Sequence, residues 1–321
     1  MSALAALGNT YSDLILNALF RGVVGTPPTT VYFSLGAAGS VLTPVEITTT
    51  RTPVKVNRGW LSGMDNATYP YASSGAAFGN SNVMGHGFDI YCTGMGANTY
   101  TTVCLLVYDA ASAGNLLAVF EPQWGYVVQL IDGDIVRVGR ATYDSTSNGG
   151  YFPIYSLSLP ASSSNYATLF SFNTTAATAM GAYAGAMVTD WLWRGFDSID
   201  AIFPVATYPN VYLNWATNAG AVITDIPRLA IARSTGTWNA PVSVSAGVNL
   251  ERKITNALDF TFNNTTVAGS YVNPFLQARM SNTPQAFNDI LYSVQLGGYT
   301  LTYGLGDNII FPAGNLDFIL N

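Results

Sequence analysis

Tyr11-Ser-Asp-Leu-Ile-Leu-Asn-Ala-Leu-Phe-Arg-Gly22 decides how the rest of the chain is read, because it returns as Ala186-Met-Val-Thr-Asp-Trp-Leu-Trp-Arg-Gly195. Leu14, Ile15, Ala18 and Leu19 recur in type and spacing as Met187, Val188, Trp191 and Leu192. That i, i+1, i+4, i+5 stripe predicts one face of an amphipathic helix. Arg21-Gly22 and Arg194-Gly195 close the two runs, each setting a cation over the negative helix end and then a residue free to take positive φ. A module has been made twice.

The length fits two modules, since 321 residues divide into halves of roughly 150, each able to bury a core. Charged residues are only 9% of the chain, and the surface is left to hydroxyls, amides and tyrosines. Such a surface suits a protein that packs against many neighbours, where each desolvated charge would need a partner. Residues 1–160 carry nine acids and six bases and residues 161–321 the same, which gives the net charge of -6 with no basic half or tail. Nucleic acid is therefore not an expected partner, because phosphate neutralisation needs clustered Lys and Arg and the only lysines are Lys55 and Lys253. No run approaches the length of a membrane span. Met-Ser-Ala-Leu-Ala-Ala-Leu-Gly8 lacks the positive start of a signal peptide. Cys92 and Cys104 read as two buried thiols in strand-like surroundings, with a cross-strand disulfide the alternative.

After the first helix the period changes to that of strands. Pro27-Pro28-Thr-Thr-Val-Tyr-Phe-Ser-Leu35 puts Val31, Phe33 and Leu35 on one face, and Tyr208-Pro-Asn-Val-Tyr-Leu-Asn-Trp215 is its counterpart. Both copies then run through a Thr- and Arg-containing stretch to a tryptophan, Trp60 and Trp238. Strands with an apolar-Asp-apolar core are expected at Gly87–Tyr91 and Ala257–Phe262, a doubly buried strand at Val103–Asp109, and a pair at Asn115–Phe120 and Asn288–Val294. Gly-Asp turns then lead into Asp132–Val138 and Leu305–Phe311, and Leu316, Phe318 and Leu320 alternate on a final strand. The fold class expected is all-β: two tandem β-sandwich or jelly-roll-like domains, each with a short N-terminal α-helix. The first covers residues 1–159 and the second 184–321. Residues 160–183 form a linker that holds an extra strand at Tyr166–Phe172 and the start of the second helix, placed within Ala176–Trp193.

The second half, closing in Gly306-Asp-Asn-Ile-Ile-Phe-Pro-Ala-Gly-Asn-Leu-Asp-Phe-Ile-Leu320 after Ile254-Thr-Asn-Ala-Leu-Asp-Phe260 and Asn288-Asp-Ile-Leu-Tyr292, resembles a family of small tailed-phage virion proteins often labelled tail fibre or tail proteins. The resemblance covers residues 184–321, and residues 11–140 look like a diverged second copy. It implies a non-enzymatic component of a phage particle, exposed on the virion, with the major capsid protein or tail and neck proteins as partners. The chain has neither heptads nor a repetitive shaft. Capsid decoration is accordingly preferred to a tail, collar or fibre module that binds a host receptor or glycan. A homo-oligomer is expected, a trimer by preference, since three chains of two similar domains make a pseudo-sixfold unit.

His86 would need a nucleophile and an orienting acid to act as a general base, and the sequence assigns neither, so a surface or hydrogen-bonded histidine is the better reading. Asp132 and Asp134 flank a glycine but lack the further ligands of a calcium loop, and an Asp-Gly turn explains them. Asp109 with Glu121 is the carboxylate pair that hydrolysis of a glycoside would use, yet neither has an acid at its repeat position. No catalytic residue, metal ligand or cofactor is expected. Trp60 and Trp238 read as core or interface residues, while Tyr69, Tyr71, Trp124 and Tyr151 are the candidate contact residues, either as protein anchors or as a sugar-stacking face.

Overall fold

The computed structural model describes residues 6–37, 45–48, 50–55, 88–94, 98–100, 103–120, 128–138, 170–171, 178–180, 191–192, 205–217, 221–244, 252–263, 265–280, 290–295 and 298–320. They form an all-β protein of antiparallel sheets with one short α-helix. In the first half β1 (Ala6–Leu7) leads into α1 (Asn9–Leu16). Next come β2 (Thr30–Ala37), β3 (Val45–Glu46), β4 (Thr52–Lys55), β5 (Phe88–Tyr91), β6 (Asn98–Tyr100), β7 (Val103–Tyr108), β8 (Leu116–Phe120), β9 (Val128–Leu130) and β10 (Ile135–Val138). The main sheet runs β1-β8-β7-β2-β3, with β4 also on β2, and β5–β10 and β6–β9 form separate ribbons. The alternation in β2 does what its side chains dictate, for Val31, Phe33 and Leu35 are fully buried on one face.

The second half begins with β11 (Phe170–Ser171) and β12 (Thr178–Met180) and continues through β13 (Asn210–Ala216), β14 (Leu229–Ala232), β15 (Val242–Ser243), β16 (Arg252–Thr255) and β17 (Phe260–Phe262). β18 (Gly269–Val272), β19 (Phe275–Arg279), β20 (Ile290–Gln295), β21 (Thr300–Tyr303), β22 (Ile309–Phe311) and β23 (Asp317–Leu320) complete it. Its main sheet, β12-β20-β19-β13-β14, repeats β1-β8-β7-β2-β4 strand for strand.

The register repeats as well. Tyr32 opposes Tyr108 and Ser34 opposes Leu106, just as Tyr212 opposes Arg279 and Asn214 opposes Gln277. Even the irregularity is shared: a bulge between Val107 and Tyr108 skips Leu117, and one between Ala278 and Arg279 skips Leu291. Both skipped leucines are buried. A bulge sets local twist and aims a side chain, so its reappearance at the same register position is a specific mark of duplication.

Three expectations need correction. The predicted first helix stops at Leu16 and widens into a π-helical turn over Asn17–Arg21, closed by Gly22 at φ 65. Within Ala176–Trp193 the early part is strand β12, which pairs with β20, and only Trp191 and Leu192 are described in a π-helical turn equivalent to Ala18 and Leu19. The ribbon registers also move the apolar-Asp-apolar pairing. Asp89 opposes Arg137 and Thr261 opposes Ile310, so the counterpart of Asp89 is Thr261, while Asp259 precedes β17 and accepts the Ala313 N–H. Three expected strands are in place: β7 is buried over Cys104–Tyr108, β11 lies in the expected extra strand, and β23 ends the chain's last sheet beside β16. Cys92 and Cys104 are free buried thiols.

One apolar core runs through both halves, taking in Ile15, Phe20, Phe33 and Leu117 from the first and Leu213, Trp238, Leu291 and Phe318 from the second. Leu117→Ala and Leu291→Ala should therefore cost similar amounts, about 2–5 kcal/mol each. Both variants should unfold in one transition in a urea titration followed by tryptophan fluorescence and by far-UV circular dichroism. Separate transitions by the two probes would contradict a shared core.

Candidate functional site

The site with the most built geometry is the place where α1 of the first half seats on the second. α1 lies between β8 of its own half and β16 of the other. At the end of its π turn, where a helix leaves carbonyls without intrahelical donors, the Arg233 guanidinium of the second half donates from Nη2 to Ala18 O at 2.6 Å and from Nε to Leu19 O at 2.9 Å. Nη1 donates to Tyr208 O at 2.9 Å. Arg233 is 3% exposed, and the negative end of the turn is a favourable place for its buried charge. One turn of chain earlier, Arg252 holds Asp13 with two parallel hydrogen bonds of 2.6 and 2.8 Å, the fork geometry that makes arginine–carboxylate pairs directional.

Between these two anchors Phe20 enters an aromatic cluster of the second half. Its ring centroid is 4.5 Å from Phe318 and 5.0 Å from Trp238, and Trp238 in turn meets Phe260 edge-on. Trp238 Nε1 donates to Ala232 O, so its polar edge is satisfied within the core. Gly22 makes the fit possible, because a Cβ there would stand 2.8 Å from Val205 Cγ2 and 3.1 Å from Arg233 O.

The two Gly-Asp turns answer the calcium question. Asp134 Oδ2 accepts the Ile131 N–H and Asp307 Oδ2 the Gly304 N–H, while Gly133 and Gly306 take φ of 92 and 81. Each turn also ties to the preceding loop by the same two backbone bonds, to Cys92 in the first half and to Thr265 in the second. They are duplicated β-turns, each with a left-handed glycine at the third position and an Asp at the fourth whose carboxylate accepts the N–H of the turn's first residue. Among the described residues no three His, Cys, Asp or Glu side chains are placed to hold a metal, and no helix there is long and apolar enough to cross a membrane.

Four further described acids are held within the fold. Asp109 accepts from Asn115, Asp317 from Lys253, Asp225 from Tyr271, and Glu46 takes a bidentate Arg51 whose guanidinium carbon also lies 3.4 Å over the Tyr108 ring. Burial works against the Glu46 carboxylate, yet hydrogen bonds from Arg51 and Ser34 and the charge of Arg51 hold it below its ordinary range. Burial, reinforced by the Glu46 charge, pushes the Tyr108 hydroxyl up to about 12. Burial first, then the charges of Asp134 and Asp132, raise the Cys92 thiol and keep it protonated.

Of the residues singled out in the sequence, Leu14, Leu19, Arg21, Gly22 and Trp238 gather at or beside the clasp. Arg21 itself bonds back to Asn17 Oδ1, and Leu192 is buried with Trp191 in the common core. Trp60, Tyr69, Tyr71, His86, Glu121, Trp124, Tyr151, Val188, Arg194 and Gly195 lie outside the described residues. The sequence reading passed over Phe20, Arg233 and Arg252, which carry the clasp.

Apolar side chains also face outward along the ribbons of the second half, with Val272 at 72% and Leu305 at 73% exposure. Leu258, Val267, Tyr299 and Ile310 are exposed there too, amid Ser270, Thr300 and Thr302. In the first half the matching turn exposes Ile131, and Tyr91 is exposed as well. Comparison of the chain with protein-family models, curated proteins and solved structures finds no match.

Removing the clasp donors should be costly. Arg233→Met leaves buried carbonyls without a donor and should destabilise the protein by about 3 kcal/mol or more. Gly22→Ala should cost at least about 1–2 kcal/mol from the left-handed backbone alone, both read from denaturant midpoints. Glu46, lowered from 4.5, adds stability that is present above that value and lost as pH falls through its folded value. The stability difference between the parent protein and Glu46→Gln should therefore be full near pH 7 and shrink in acid. A difference unchanged at pH 3 would contradict the ion pair.

Proposed function

We propose that this protein is a non-enzymatic structural component of a tailed-phage virion, set on the outer surface of the capsid as a decoration or cement protein. The observation that carries the reading is the duplicated sheet, register and bulge included, welded by a clasp into one body. Such a body presents two similar faces at a fixed spacing. A lattice of repeated subunits is the partner that a fixed double face fits, because the second contact then follows at high effective concentration.

In this reading each half is a β-sandwich module: the main sheet is one layer, and the ribbons with the β15-β16-β23 strands are the other. The exposed side chains of the ribbons, apolar among hydroxyls with Asp132, Asp259 and Asp307 beside them, are the surfaces that bury against the shell and against copies of the chain. Three chains in a trimer place six modules around one axis, which suits a sixfold site on a capsid. A tail or collar module that grips a host glycan is the second reading. Exposed Tyr91 and Tyr299 are the described aromatics that could stack on a sugar.

Copy number separates the two readings. Quantitative mass spectrometry of purified particles should find hundreds of copies per virion, in simple proportion to the major capsid protein. Six to a few tens of copies would overturn capsid decoration and favour the tail. Absence from the particle would overturn both.

A further inference from the structure

The clasp has a meaning that does not depend on the virion reading. Phe20, Trp238 and Phe318 are 1%, 0% and 0% exposed, and Arg233 spends a buried charge on carbonyls of the other half. Complete burial of large aromatics is shared by domain cores and obligate subunit interfaces, which resemble a core cut in half. Here such burial joins two copies of one module.

We infer that the half-to-half contact is a protomer interface enclosed in a single chain. The groove of Arg233, Trp238, Arg252 and Phe318 is a docking site for the helix and π turn of an equivalent module, and the partner it fits from outside is the N-terminal half of a second copy of this chain. Every contact that α1 makes within one chain is then available between two chains. Its own half fills the groove under ordinary conditions because the linker holds it at high effective concentration. Two chains that trade halves form a closed dimer with no new contact surface. The burial of Trp191 and Leu192 in the same core fits a reciprocal seat for the second helix turn.

A specific protease site inserted within residues 160–165 of the full chain provides the test. After cutting, native mass spectrometry at about 1 µM should show the two pieces as one complex. Cut protein labelled with ¹⁵N, mixed with unlabelled cut protein and carried through brief denaturation, should give mixed complexes. Pieces that run apart at that concentration, folded or unfolded, overturn the inference, as does recovery of like-labelled complexes alone after refolding. Phe20→Ala should raise the dissociation constant of the cut pair at least about a hundredfold, as expected for loss of a buried aromatic. Asp13→Asn leaves the apolar contacts in place and should raise it about tenfold. A cut pair whose affinity both variants leave unchanged would place the interface elsewhere and overturn the assignment.

Discussion

The arginine on the open end of a π turn governs this structure. A widened last turn leaves carbonyls turned outward, and in the core of a protein such groups must be met. Arg233 meets two of them from the other half of the chain, and its own backbone N–H is anchored on Pro209 O. The turn in turn aims Phe20 at Trp238 and Phe318. Gly22 lets the chain leave between Val205 and the Arg233 carbonyl, where any Cβ would collide. Helix end, aromatic plug and glycine exit are thus one device, and the continuity of the core across the two halves follows from it.

Around that device the two copies kept some things and changed others, and the pattern has a physical logic. Positions facing the shared core stayed apolar: Val31 and Val211, Phe33 and Leu213, Leu117 and Leu291. Turn chemistry stayed too: in both copies an Asp carboxylate caps the first N–H of a β-turn whose glycine takes positive φ. The opposite face of the main sheet diverged. In the first half Cys104, Leu106, Tyr108 and Val119 make a small apolar cluster capped by Arg51. In the second, Gln277 and Arg279 take the register positions of Leu106 and Tyr108, and Asn214 that of buried Ser34; all are buried, with Gln277 Oε1 accepting from both Asn214 and Arg279. A buried polar set is tolerated there because its members bond one another.

The duplication, the β class and the left-handed Gly22 were legible in the chain because each follows from local rules: a repeated amphipathic stripe, period-two alternation and an Arg-Gly helix end. The π turn was not, since the same stripe suits an α-helix and the widening depends on carbonyl partners hundreds of residues away. Strand β12 was hidden for a related reason. Thr178-Ala-Met180 has no strand signature of its own, and pairing with β20 makes it one. The pairing of Asp89 with Asp259 failed because equal local texts can slide, whereas a ladder with Ile310 opposite Thr261 and Arg137 opposite Asp89 cannot.

The clasp marks the boundary between the two kinds of information. By itself the sequence determined that one module occurs twice, that its strands alternate and where its turns fall, because those properties are set by near neighbours along the chain. Which half would receive the first helix, and that Arg233, Arg252 and Phe20 would do the joining, was decided only in three dimensions. Hydrogen-bond need and apolar burial are satisfied by whatever surface is brought close, and nothing in the spacing of Asp13 and Arg252 announces that they will meet.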